Sequence, residues 1–119
     1  MNYLVHQWLR TSAARYPTHV AVEDRERTLT YRELDELSDR LANLLISLGV
    51  RRGDRVGFYL EKSIESVLAI YGILKAGAAY VPFDPHAPAA RLAYIARNAG
   101  LRVLITGIEK QGSWAELLA

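Results

Sequence analysis

The sequence predicts a doubly wound α/β fold, an open and mainly parallel sheet flanked by helices, preceded by one helix and a small hairpin. Three observations carry that expectation. From Arg55 onward, apolar runs of strand length alternate with apolar stripes of helical period. Gly49, Gly77 and Gly100 each stand just past such a stripe, where a helix ends. The resulting order of strand, helix, strand, helix, strand requires parallel pairing with right-handed crossovers.

Leu4, Val5, Trp8 and Leu9 fall at helical spacing, and Tyr16-Pro17 ends that first helix because a residue preceding proline avoids the helical region. Val20-Ala21-Val22 and Thr28-Leu29-Thr30 read as two short strands joined through the polar link Glu23 to Arg27, a hairpin. Thr30-Tyr31-Arg32-Glu33 is a capping box, so a helix begins at Tyr31. Its apolar stripe is Leu34, Leu37, Leu41, Leu44, Leu45 and Leu48, opposite Arg32, Asp35, Glu36, Asp39, Arg40 and Asn43.

After the turn Arg51 to Asp54, Arg55 to Leu60 reads as a strand with Val56, Phe58 and Leu60 on one face. Ser63 to Ala76 has almost no polar face, so this helix is expected to be buried on most sides. Ala78 to Phe83 reads as a strand covered on both faces, with Pro82 ending its ladder. Pro88 suits the first position of the next helix, whose stripe is Leu92, Ile95, Ala96 and Ala99. Val103-Leu104-Ile105 is a further buried strand, and a short helix is expected over Ser113 to Leu118.

A length of 119 residues leaves room for one domain, residues 1–119, and half the residues are apolar, enough for a core. The net charge of +2 is interleaved along the chain, so no nucleic-acid stripe stands out. The absence of cysteine excludes disulfides, thiolate metal sites and a cysteine nucleophile. The opening residues lack an uninterrupted signal-peptide core, and no apolar run reaches the roughly 20 residues of a bilayer span. A cytoplasmic protein without nucleic-acid or membrane partners is the expectation.

The usual motifs of chemistry fail one by one. Gly72 to Gly77 has phosphate-loop spacing, but Ala78 and Ala79 stand where Lys and Ser or Thr are required. No dinucleotide fingerprint and no nucleophile elbow occurs. His6, His19 and His86 lack partners at zinc-site spacing. Asp35, Glu36 and Asp39 lie on the polar face of a helix and are expected to be solvated. Asp84 follows a strand at the carboxyl edge where open α/β sheets place sites, yet Asp-Pro is also a turn former bonding nearby backbone. The Arg51, Arg52, Arg55 cluster is interrupted by Asp54 and reads as a solvated loop.

Two segments are more specific. Leu29 to Leu34, with Thr30, Tyr31 and Glu33, resembles the first core motif of AMP-forming adenylating enzymes, L-[TS]-Y-x-E-L. Leu74 to Asp84, with Lys75, Gly77, Tyr80, Pro82 and Asp84, resembles their second, L-K-A-G-x-A-Y-[LV]-P-[ILF]-D. The flanks, Tyr16 to Val22 and Pro85 to Thr106, are similar to the family as well.

That family comprises acyl-CoA synthetases, luciferases and the adenylation domains of nonribosomal peptide synthetases. The resemblance implies activation of a carboxylic or amino acid by Mg-ATP to an acyl-adenylate, then thioester formation. It also implies that the phosphate loop, the acyl pocket and the catalytic lysine belong to later segments, so ATP and Mg²⁺ are cofactors of the complete enzyme. No catalytic, cofactor-binding or metal-binding role passes to a residue of this chain; the matched positions are expected to be scaffold. The expected function is the N-terminal portion of such a ligase, inactive alone, with the remainder of the ligase or a self-associated copy as partner. The alternatives are a standalone module complementing a ligase, or a small flavodoxin-like domain binding an anion near Asp84.

Overall fold

The computed structural model describes residues 5–107; the expected helix over Ser113 to Leu118 lies outside them. The elements are α1 (Val5–Arg15), β1 (Val20–Asp24), β2 (Arg27–Thr30), α2 (Tyr31–Ser47), β3 (Arg55–Tyr59), α3 (Ile64–Lys75), β4 (Ala79–Pro82), α4 (Ala89–Ala99) and β5 (Leu101–Thr106). β1 and β2 form an antiparallel hairpin, and the second sheet is parallel with strand order β4-β3-β5. The expected doubly wound α/β class is therefore the observed one.

α2 and α3 cover one face of the parallel sheet. There Leu45, Val56, Phe58, Ala69 and Ile73 are buried, with Val103 and Ile105 packed against them. α4 covers the other face, where Tyr59, Phe83, Leu92 and Ala93 are buried against Leu101 and Leu104. Full burial of side chains such as Leu45 and Ile73 stabilises the fold by about 1.5–3 kcal/mol each. Gly57 of β3 makes room on the α4 face, since a Cβ there would lie 2.9 Å from Leu104 Cδ1 and 3.0 Å from Leu101 Cδ1.

The start signals hold. The Thr30 hydroxyl accepts from the Glu33 amide at 3.1 Å, and the Glu33 carboxylate accepts from the Thr30 amide at 2.9 Å. α3 carries a second capping box, Ser63 with Ser66, which sequence reading missed because the partner is Ser rather than Glu or Gln. The stop at Gly77 is a left-handed residue with φ 81°, a conformation that costs a side-chain-bearing residue about 1 kcal/mol or more.

Several expectations are corrected. The hairpin strands run further than Val22 and Thr28, leaving Arg25-Glu26 as the connection, with Arg25 at φ 57° in the left-handed geometry a two-residue turn needs. Leu44 and Leu48 are exposed; the buried side of α2 is Leu34, Ser38, Ala42 and Leu45, because α3 packs off-centre on the leucine stripe. β4 is not covered on both faces: it is an edge strand paired with β3, and Tyr80 is 42% exposed. Val103 to Ile105 is half-buried for the same reason, β5 being the opposite edge. Pro88 caps α4 rather than opening it, one residue ahead of the expected position.

Candidate functional site

Open parallel sheets take ligands at the carboxyl ends of their strands. In this chain that edge carries Glu61, Lys62 and Ser63 after β3, Asp84 and His86 after β4, and Gly107 after β5. A cavity of about 470 Å³ opens there between the hairpin and the start of α3, lined by Asp24, Arg27, Glu61, Lys62 and Gly107 among others. A second, of about 490 Å³, lies beside Asp84, His86 and Arg91.

The first cavity is built around Arg27. Its guanidinium donates to Glu65 Oε1 at 2.7 Å and Oε2 at 3.1 Å, and to Asp24 Oδ2 at 2.6 Å. The fork geometry of arginine matches a carboxylate in this two-bond arrangement. Asp24 Oδ2 also accepts from the amide of Ile64, the first residue of α3, at 3.3 Å. An internal carboxylate thus sits where a helix N-terminus would otherwise attract an anion. The hydrogen bond from Arg27 holds both Asp24 and Glu65 below the usual carboxylate range, and their hydrogen bonds hold Arg27 above its ordinary value.

Beside the second cavity, Asp84 Oδ1 accepts from the His86 amide at 2.9 Å and the Asp84 carbonyl accepts from the Ala87 amide at 3.1 Å. Asp84 therefore makes the backbone contacts expected of a turn former. His86 Nε2 stands 3.3 Å from Glu61 Oε2, joining the loops after β3 and β4. Among the described residues no group of three or more His, Asp or Glu side chains could hold a metal ion.

A third cavity, of about 570 Å³, lies between α1 and α2 and is lined by His6, Arg10, Asp39, Asn43 and Lys75 among others. Lys75, 6% exposed at its side chain, donates to Asp35 Oδ1 at 2.6 Å, to Asp39 Oδ1 at 2.8 Å and to the Asp35 carbonyl at 2.9 Å. Arg10 reaches the same carboxylates, 2.6 Å from Asp39 Oδ1 and 3.7 Å from Asp35 Oδ1. This corrects the expectation that Asp35 and Asp39 are simply solvated: they form an ion network joining α1, α2 and α3. An ammonium has three hydrogens, and all three of these are committed, which ties the end of α3 to α2. Partial burial, then the charges of Lys75 and Arg10, push the His6 imidazole below its ordinary value. The available signal was two acids at i,i+4 beside the buried side of α2, facing a lysine at the end of an apolar helix.

The remaining motif positions make contacts within the fold. Thr30, Tyr31 and Glu33 start α2, and the Gly77 carbonyl accepts from the Gly53 amide at 2.9 Å. Tyr80 meets Phe58 ring to ring with centroids 6.2 Å apart, and Pro82 ends β4.

This helix-cap and helix-stop framework extends over almost the whole chain, and residues 9–118 match the AMP-binding enzyme family. The chain belongs to that family. Phosphinothricin tripeptide synthetase PhsC of Streptomyces viridochromogenes is 45% identical over 111 residues, 93% of this chain and 10% of that protein. Zwittermicin A synthase ZmaJ of Bacillus cereus is 42% identical over 106 residues, 89% of this chain and 20% of that protein. Among solved structures, the N-terminal domain of FACL13 from Mycobacterium tuberculosis superposes with a TM-score of 0.92 at 28% identity, covering 99% of this chain and 31% of that one. The nonribosomal peptide synthetase FmoA3 bound to α-methyl-L-serine-AMP superposes with a TM-score of 0.88 at 37% identity, covering 92% of this chain and 12% of that one. The family member described here thus spans a small share of the length of the relatives it matches, and its parallel sheet is that of the N-terminal domain of adenylating enzymes.

Proposed function

We propose that this chain is the opening part of an adenylation unit of the peptide-synthetase kind. In this reading the complete unit activates a carboxylic or amino acid with Mg-ATP as an acyl-adenylate and passes the acyl group to a thiol. The observation that carries the reading is the 45% identity to PhsC along 93% of the chain, against 28% to the FACL13 domain along 99%.

In the same reading the chain supplies scaffold and is not catalytic alone. Stabilising charge at an attacked phosphate calls for cations and amides aimed at it. The side chains at the carboxyl edge do not fit a triphosphate: Arg27 is committed to Asp24 and Glu65, and Asp24 stands over the start of α3. Lys75 is committed to Asp35 and Asp39. ATP and Mg²⁺ therefore belong to other segments of the unit. The partner is the remainder of the ligase, and residues 1–119 act as one α/β piece of it. No helix among the described residues is long and apolar enough to cross a membrane, in keeping with a cytoplasmic enzyme.

ATP–pyrophosphate exchange tests the proposal. The purified chain with ATP, Mg²⁺ and a panel of amino and aryl acids is expected to give no exchange above buffer. Acid-dependent exchange by the chain alone would overturn it.

A further inference from the structure

We infer that α1 is an arm hinged at Tyr16-Pro17, which leaves α2 when the His6 imidazole takes up a proton. The hinge is set by the backbone. Directly after α1, the Pro17 carbonyl accepts from the Arg32 amide at 3.1 Å and the His19 carbonyl accepts from the Tyr31 amide at 3.0 Å. Both donors open α2, so the chain is fixed to that helix from Pro17 onward. α1 itself is held more lightly. Among its described side chains Leu9 alone is buried, and Arg10, 62% exposed, makes its ion pairs. An ion pair so exposed adds little to stability.

The ion network is arranged so that this arm can leave without disturbing the rest. Lys75 makes its three hydrogen bonds to Asp35 and Asp39 without help from any group of α1. Arg10 adds a second cation to the same two oxygens, 2.6 Å from Asp39 Oδ1 and 3.7 Å from Asp35 Oδ1. When α1 leaves, Lys75 keeps both carboxylates, and α2 and α3 stay joined.

His6 stands one turn before Arg10 on the same side of α1, half-buried in the wall of the cavity of about 570 Å³ that Asp39 and Lys75 also line. Around it, among the described residues, are Arg10 from α1, Asp35 and Asp39 from α2, and Lys75 from α3. Two cations and two carboxylates balance there. A proton on His6 adds a third cation where the nearest carboxylate oxygens already accept from the other two. Burial, then the charges of Lys75 and Arg10, favour the neutral ring while α1 is docked. Release of α1 removes all three influences together, so protonation favours the released arm. Docking is therefore complete above the ordinary histidine value of 6.5 and is lost as pH falls through the lower value of the docked state. Release uncovers Leu9 and opens the cavity between α1 and α2.

The test is amide hydrogen exchange on the purified chain at about pH 7.5 and about pH 5.5, a window in which a free imidazole charges and carboxylates stay ionised. After correction for the intrinsic effect of pH, α1 amides are expected to open about threefold more at the lower pH, with α2 and α3 amides unchanged. His6→Gln should abolish the difference and keep α1 docked at both values, whereas His6→Lys should leave it open at both. His19→Gln, which removes the ring stacked on Tyr16 at the hinge with centroids 5.1 Å apart, should keep the pH response. The ring protons of His6 in the unaltered chain give a reading that needs no substitution. Their titration midpoint should lie below that of free histidine and coincide with the loosening of α1. Equal α1 protection at both values, a response that survives His6→Gln or vanishes in His19→Gln, or a His6 midpoint at or above that of free histidine would each overturn the inference. So would α2 loosening in step with α1, which would make the transition a general unfolding.

Discussion

Lys75 and Asp35, 40 positions apart, are joined twice, at the carboxylate at 2.6 Å and at the backbone carbonyl at 2.9 Å. The second bond fixes the lysine against the body of α2 as well as against a side chain, so α2 and α3 hold a defined register. Asp39 and Arg10 extend the network to α1, which among the described residues buries Leu9.

Lys75→Met should be strongly destabilising. Removing one member of a buried ion pair costs about 3–5 kcal/mol, because the uncompensated charge remains. Asp39 is 43% exposed, so the lower end of that range is expected. Lys75→Met with Asp35→Asn should recover part of the loss, since it removes the stranded charge. Thermal melts of the three proteins check this; a single variant within about 0.5 kcal/mol of the parent, a margin typical of inconsequential surface changes, would contradict it.

Gly72 is where α3 and α2 touch. A Cβ there would stand 2.5 Å from Leu41 Cδ2 and 2.9 Å from Leu41 Cβ. Gly72→Ala is therefore expected to destabilise by about 1–3 kcal/mol through overpacking, despite the better helix propensity of alanine. Adding Leu41→Ala should make the two changes strongly non-additive in a double-mutant cycle. Simple additivity would show that the helices do not meet at this point.

Both capping boxes should be measurable separately. Thr30→Ala and Ser63→Ala are each expected to cost about 1 kcal/mol, and Thr30→Ser much less, because a hydroxyl acceptor is retained. Urea unfolding of the three variants reads the differences.

Acidification should loosen the hairpin from α3. Asp24 and Glu65 have folded-state values below their ordinary ones, held there first by the hydrogen bonds from Arg27. Their contribution is complete above the unfolded carboxylate range and is lost as pH falls through the lower folded values. Arg27 keeps its charge across that window and adds no slope of its own. His6, also lowered, has the same sign from its ordinary value of 6.5 downward. Stability is thus expected to fall with pH below about 6.5 and most steeply below about 4.5. Arg27→Met should flatten the acid limb; an unchanged limb would count against the pairing.

The sequence made legible most of what is local, the Ser63 cap excepted. Thr30 with Glu33, the stop at Gly77 and the turn at Asp84 depend on neighbours three residues away or fewer, and each is found. Strand burial was misread because an apolar run reports what a strand can bury, whereas the position of β4 and β5 at the two edges depends on pairing across the sheet. Leu44 and Leu48 were misplaced for a related reason: a stripe on α2 is wider than the surface α3 and β3 cover. The ion network escaped because Lys75 lies 40 residues from Asp35, and no local pattern links them. The candidate site was legible mainly through the resemblance at Leu29 to Leu34 and Leu74 to Asp84, not through any constellation of reactive side chains.

The most direct test of the account is the exchange rate of the PhsC chimera carrying this chain in place of its own 111 matched residues. A scaffold segment that takes no part in the chemistry should support amino-acid-dependent pyrophosphate exchange within about tenfold of PhsC, or about 1.4 kcal/mol of barrier. A folded chimera with no exchange would show that this segment does more than hold the fold.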